Sequence, residues 1–516
     1  KVVLTALILS NAISSTALSL RKVFIKSNSA RHSLSPIADE LHGWDSNFGQ
    51  VFIDNYWQKR PLLVRQAFPN ITDVIKLTKA SCCVISNHPD VETRIYTKVH
   101  GKTEKVYGPF DEDLIDKISN PLMKNWTMLI QEVDRHIPQV ADLWQSYFSF
   151  IPRWRRDDIM ISYSTEGGGI GAHVDNYDVF LLQGSGSREW AIEHSYLTDK
   201  EEKMRELRNS DTRLLRDFSC DQRWTMAAGD LLYLPPRIPH RGVTLASHED
   251  CTTISFGFRA PNYKTMLTAF WEEVTGPSYV DPSRLFHSDI DSDGKTAPLF
   301  DRSAGLITQS VIESMESKLE KMVSDPLRDS SVFNRWLCKH LTAPLRYSRW
   351  TTKPFFIENK INDDKKSEKQ DSDFSLCLND DEEDGDYVDD DDDEEEDFSP
   401  LFLQSPYRMA TTELFDSAED VLTKVLAGEF TLRRCEGVRM AYSTQAFYAD
   451  GEEFPFPGTR DGAVLGSVLC DHNVIDRQLL CTVDEHITSH SRSSAELRFL
   501  AGLVRSGYFY PVKIIN

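Results

Sequence analysis

At 516 residues the chain has room for about three ordinary domains and a full core. Its formal net charge of −22 is local: residues 380–397 hold 15 Asp or Glu and no Lys or Arg, which leaves −7 for the rest, ordinary for a soluble enzyme. Nine cysteines, scattered and without a CxxC pair, exclude a disulfide framework or a zinc ribbon and point to a reducing compartment.

Residues 1–38 read as a targeting or disordered segment. Lys1 precedes an apolar stretch, Val2–Ile13, that is too short and too interrupted by Ser10 and Asn11 to span a bilayer. A Ser-rich basic run with Arg21, Lys22, Lys26 and Arg31 follows, and no acid occurs before Asp39. The pattern predicts an organellar leader, plastid or mitochondrial. A loosely helical tail on a nuclear, nucleolar or cytoplasmic protein is the alternative. No other apolar run is long enough for a transmembrane helix, so no membrane partner is expected.

Trp44–Phe68 predicts a helix leading into a strand, broken at Pro61. Thr93–Val99 reads as a strand, and Trp126–His136 and Gln139–Phe148 as amphipathic helices. The run Arg153-Trp154-Arg155-Arg156 reads as a solvated turn, with contact to RNA or an acidic peptide as the alternative.

The stretch Asp158–Trp190 carries the chemistry. An alternating apolar strand (Ile159, Ile161, Tyr163) breaks into the glycine loop Gly167–Gly169, with Gly171 just behind. His173 and Asp175 follow. On an extended chain, residues i and i+2 point to the same face, so an imidazole and a carboxylate can reach one point. Strands Val179–Gln183 and Ser187–Ile192 come next. A third ligand is offered by Gly229–His240, a short apolar strand stopped by prolines with His240 just past its end. Two histidines and one carboxylate form the facial triad of non-haem Fe(II) oxygenases, whose open positions admit a chelating cosubstrate and dioxygen. No cysteine lies near these segments in sequence, which disfavours zinc. The glycine runs at 167–171 and 184–186 lack the strand–GxGxxG–helix context of a dinucleotide loop and read as turns.

Beyond Trp190, Asp199–Asp217 predicts a charged helical insert, and the β pattern resumes at Trp224 and closes with Thr252–Phe258. Tyr263–Thr275 has apolar residues at helical spacing. Residues 358–398 are polar and then acidic, too poor in apolar surface to fold, and read as a disordered linker. Residues 400–516 recover a folded pattern: a helix over Thr412–Leu426, strands over Phe430–Tyr442 and Gln445–Phe456, helices over Leu480–His490 and Ser494–Ser506, and a final strand from Gly507. Basic residues are scattered there (Arg433, Arg434, Arg439), so no direct DNA binding is expected.

Four phrases make the pattern specific: Y-W-Q-K-R-P-L-L-V-R-Q-A-F (Tyr56–Phe68), G-G-G-I-G-A-H-V-D-N-Y-D-V-F-L-L-Q-G-S-G-S-R-E-W (Gly167–Trp190), G-D-L-L-Y-L-P-P-R-I-P-H (Gly229–His240) and I-S-F-G-F-R-A-P (Ile254–Pro261). In this order they resemble the JmjC-type 2-oxoglutarate/Fe(II) ribosomal oxygenases, in particular the bacterial ribosomal-protein arginine hydroxylase branch. The resemblance implies an α+β chain with a mainly β core: a double-stranded β-helix (jelly-roll, cupin-like) over 39–261, a helical dimerisation-type domain over 262–350, and a C-terminal winged-helix-like domain. It implies Fe(II) held by His173, Asp175 and His240, with 2-oxoglutarate as cosubstrate. The substrate implied is a ribosomal protein side chain, an arginine of a large-subunit protein above all, and a homodimer is implied as well. A distal 2-oxoglutarate carboxylate needs a buried cation able to bind it bidentately. Arg188 fits, with Ser255 as a hydroxyl partner and Asn176, Tyr177 and Gln183 as further lining. A substrate guanidinium would need a carboxylate, for which Glu166 and Asp178 are candidates. Other readings are a JmjC histidine hydroxylase or histone demethylase, a non-catalytic cupin-like binding protein, and a Zn or Mn cupin isomerase.

Overall fold

The computed structural model describes residues 38–514 except 45–47, 76–77, 87–90, 100–101, 121, 208–213, 247–250, 277–308, 344–414, 416, 458–461 and 484–494. The leader reading (through residue 37) and the acidic linker reading therefore lie outside the described residues.

The core is a large β structure with helices packed on it. Its strands are β1 (Asp39–His42), β2 (Leu62–Arg65), β3 (Thr93–Val99), β4 (Lys102–Tyr107), β5 (Trp126–Ile130) and β6 (Arg156–Ser164). They continue with β7 (Asp178–Ser185), β8 (Ser187–Ile192), β9 (Gln222–Ala227), β10 (Leu231–Leu234), β11 (His240–Thr244) and β12 (Cys251–Phe258). One sheet runs β1-β2-β10-β7-β12-β6-β5-β3-β4 and the other β11-β8-β9. The two face each other as a jelly roll. Val179, Leu181, Leu232 and Leu234 of the large sheet pack against Trp190, Ile192, Trp224 and Met226 of the small one.

Period-two alternation explains why β7 reads as unbroken apolar sequence. Val179 and Leu181 point between the sheets, whereas Phe180 and Leu182 point outward into a second core. That outer core is aromatic. Phe180 meets Phe148 of α1 (Pro138–Phe148) at 4.7 Å between centroids, and Phe148 meets Phe256 of β12 at 4.6 Å. Burying each such ring is worth about 2–3 kcal/mol. By contrast β9 alternates buried and exposed residues, because only one of its faces meets the core.

Three local expectations are corrected. Trp126–Ile130 is a strand, not the start of a helix: it lies between β3 and β6 and all five residues are buried, so the two-face burial erased the alternation that marks a strand. In the charged insert, α2 (Asp199–Arg205) stops early, because Glu206 pairs with Leu215, whose side chain packs with Ala172 and Leu197. The Arg153–Arg156 turn is not a solvated one. Arg155 ion-pairs with Asp178 at 3.3 Å, and Arg156 is buried.

After β12 the chain forms α3 (Tyr263–Thr275), α4 (Gln309–Arg328) and α5 (Ser330–Thr342) around Phe270, Val274 and Trp336. A C-terminal module over 415–514 has its own apolar core, including Val425, Leu432, Phe447, Leu469 and Val504. It docks on the β core by polar contacts. Arg433 donates to Asp142 Oδ1 (3.0 Å) and to the Pro138 carbonyl (3.1 Å), Asn473 Nδ2 donates to Asp142 Oδ1 (2.9 Å), and Arg439 donates to the Arg156 carbonyl (2.8 Å). Among the described residues, no helix is long and apolar enough to cross a membrane, and eight cysteines are free.

Candidate metal centre

The glycine loop delivers His173 and Asp175 to the edge of the small sheet. His173 and His240 exchange both backbone hydrogen bonds, N–H to O at 3.0 and 2.9 Å, so the loop is stitched directly to the start of β11. Close approach makes glycine necessary here: a Cβ on Gly169 would lie 2.2 Å from the Gly242 carbonyl oxygen.

The three side chains converge. One ligand atom from each of His173, Asp175 and His240 lies within 4.8 Å of the others. His240 Nε2 stands 3.5 Å from Asp175 Oδ2, and the imidazole centroids are 4.2 Å apart. Each Nδ1 faces the carbonyl two residues earlier in the chain, Gly171 O at 3.1 Å for His173 and Ile238 O at 2.9 Å for His240. With Nδ1–H donating there, both Nε2 lone pairs are left for a cation. Burial, and after it the neighbouring His173, pushes His240 down to about 4, so it is a neutral donor at physiological pH.

A second layer fixes the backbone at Asp175. The Arg237 N–H donates to the Asp175 carbonyl (2.7 Å), and its side chain reaches Asn176 Oδ1 (2.6 Å), Glu202 on α2 (2.5 Å) and the Leu197 carbonyl (2.7 Å). Arg237 holds φ at 75°, a left-handed conformation that a non-glycine residue keeps only under such restraint.

The triad opens into a cavity of about 380 Å³ that also takes in Arg188, Ser255, Tyr177 and Trp190. Arg188 is 4% exposed and has no carboxylate partner among the described residues. It donates to the hydroxyls of Ser162 (2.9 Å), Ser164 and Thr244 (3.2 Å), while its Nε has no partner. Burial lowers its pKa, but a guanidinium keeps its proton in a protein, so the site holds a desolvated positive charge. Ser162 and Ser164 escaped the sequence reading. Their signal was two hydroxyls at i, i+2 on an otherwise apolar strand.

Other expected residues fall elsewhere. Asn176 is occupied by Arg237, and Gln183 bonds to Ser185 and Cys251 outside the cavity lining. Glu166 is half-exposed and paired with Lys124. Asp178 is buried against Tyr233 (2.6 Å), Gln58 (3.0 Å) and Arg155, where it braces the aromatic core instead of facing the cavity. Besides Asp175 of the triad, the carboxylate lining the cavity is Asp158, which accepts from the Glu132 N–H (3.3 Å).

Residues 142–266 match the family model described as JmjC domain. Over 276 residues it is 32% identical to a protein of Haemophilus influenzae named "Probable ribosomal oxygenase", covering 52% of this chain and 64% of that one. Over 236 residues it is 33% identical to the Escherichia coli "Ribosomal protein uL16 3-hydroxylase", covering 45% and 59%. The match thus spans less than two thirds of either relative. The fold likeness is broader: the E. coli YcfD crystal structure superposes with a TM-score of 0.62 at 22% identity, over 90% of this chain and 98% of that one. A YcfD complex with cobalt and 2-oxoglutarate gives 0.60 at 22% identity, over 90% and 97%. The matched residues include the triad, Arg188 and Ser255.

Proposed function

We propose that the chain is an Fe(II)- and 2-oxoglutarate-dependent protein hydroxylase acting on a ribosomal protein side chain, with an arginine of a large-subunit protein as the target. One observation carries this reading: a three-donor cluster of two imidazoles and a carboxylate shares a cavity with a buried guanidinium that makes no ion pair among the described residues. The donor set suits iron with open positions, and the buried guanidinium suits a dicarboxylate cosubstrate. Bound there, Fe(II) with 2-oxoglutarate and dioxygen supplies C–H hydroxylation, leaving succinate and CO2.

The chain's residues supply the rest. His173, Asp175 and His240 would hold the metal, Arg188 the distal carboxylate, and Ser255 a further hydroxyl. Val179, Leu181 and Trp190 add apolar surface to the cavity wall. Asp158 sits about 13 Å along β6 from Ser162, at the strand rise of about 3.3 Å per residue. A carboxylate so far from Arg188 can receive a substrate guanidinium, which supports arginine over histidine. Relatives named for ribosomal substrates support the substrate class. Exposed Tyr263, Leu267 and Trp271, spaced i, i+4, i+8 on α3, support a homodimer face. The acid-free leader pattern supports an organellar address.

The test is anaerobic reconstitution with Fe(II), followed by oxygen, 2-oxoglutarate and peptides of large-subunit ribosomal proteins carrying arginine or histidine. Mass spectrometry should show one added oxygen on arginine, with matching succinate. His173→Ala and Asp175→Ala should abolish both, and wild-type succinate yield from either would sink the metal assignment. Oxygen gained on histidine alone would overturn the arginine reading and leave the enzyme class intact.

A further inference from the structure

A second cavity, of about 60 Å³, lies at the seam between the β core and the C-terminal module, away from the triad. Six arginines border it against three carboxylates. Three of the arginines are committed. Arg433 ion-pairs with Asp142 (3.0 Å) and Glu436 (2.8 Å), Arg135 lies 3.4 Å from Glu132, and Arg439 bonds to the Arg156 carbonyl and stands 3.9 Å from Asp157.

The other three make no ion pair among the described residues. Arg153 and Arg434 share one amide oxygen, Asn473 Oδ1, at 3.3 and 2.9 Å, and Arg153 also reaches Gln145 Oε1 at 2.7 Å. Arg156 is 8% exposed. It donates to the Trp144 carbonyl at 3.3 Å, lies over the Trp144 ring, and leaves its buried Nε without a partner. Asp134 is the nearby carboxylate, but it makes no ion pair with Arg156: its two oxygens accept from Trp144 Nε1 (2.8 Å) and the Ile159 N–H (2.9 Å), and burial raises its pKa.

Burial, and then the charge of Arg434, pushes Arg153 down to about 9; burial, and then Arg153 and Arg434, lower Arg156. A guanidinium does not give up its proton in a protein. Like charges out of water are therefore costly unless a counter-ion joins them.

We propose that this cavity binds a small tetrahedral oxyanion of the phosphate class, held by Arg153 and Arg156 of the β core and by Arg434 of the C-terminal module, which fastens the two together. The space suits it. One water needs roughly 10–15 Å³ on this measure, so about four oxygens around a central atom fit and a nucleotide does not. Arginine forks match such an oxyanion bidentately.

The experiment uses the full chain in a phosphate-free buffer. Inorganic phosphate or sulfate, titrated at ionic strength held constant with sodium chloride, should raise Tm in a saturating way, and isothermal titration should show one site. Arg434→Gln should weaken phosphate binding by about 10-fold or more, the loss of one charge-assisted contact. Should that variant not fold, Arg153→Gln serves in its place, and Arg216→Gln, an exposed residue remote from the seam, should bind as the wild type does. A chloride control that raises Tm as much as phosphate would overturn the proposal. So would undiminished phosphate binding by the Arg434 or Arg153 variant.

Discussion

Arg188 and His240 are both buried ionisable groups, and burial acts on them in opposite functional directions. Arg188 keeps its charge, so its fork waits for a carboxylate. Arg188→Gln should raise the 2-oxoglutarate concentration needed for half-maximal turnover by about 10- to 100-fold, the range of a charged hydrogen bond; an unchanged requirement would remove Arg188 from that role. His240 is instead held neutral. Its folded pKa of about 4 lies below the ordinary 6.5. As pH falls through 6.5 the unfolded chain takes up a proton that the folded chain refuses until about 4. The metal-free protein should therefore lose stability across that window, on the order of 3 kcal/mol in all, and show no further loss from this group below it. Denaturant melts at stepped pH would show the slope, and His240→Gln should flatten it.

At the scale of elements, the site depends on how tightly the glycine loop lies on β11. Gly169→Ala would drive a methyl into the Gly242 carbonyl, so the loop must lift and carry His173 with it. Loss of metal binding with little change in circular dichroism is the expected result, read by competition with a chromogenic chelator. The same elements show what sequence can disclose. His173 and Asp175 stand out because spacing alone puts them on one face, and His240 because a proline-stopped strand ends beside it. Tyr263–Thr275 was legible as a helix to the residue, since one face is buried and the other wet. Trp126–Ile130 was not, since a strand covered on both faces keeps no alternation to read. The error in choosing Glu166 and Asp178 has the same root. Which neighbour claims a carboxylate is decided by strands far apart in the chain: Asp178 is taken by Tyr233 and Arg155, whereas Asp158, which accepts from the Glu132 N–H, lines the cavity.

Across the whole molecule, the β core and the C-terminal module meet through charge and amide groups more than through apolar surface. Asn473 is the hub, accepting from Arg153 and Arg434 and donating to Asp142. Asn473→Ala strips three partly buried groups of a partner and should cost about 1–3 kcal/mol. Equilibrium unfolding followed by tryptophan fluorescence would report it, and a loss under 0.5 kcal/mol would mean the seam is held elsewhere. At the other seam, where the glycine loop meets β11, His173 and His240 are joined through their main chains before any cation arrives. A chelator should thus strip the iron without loosening the barrel, and the emptied protein should regain full occupancy on simple re-addition, with no refolding lag.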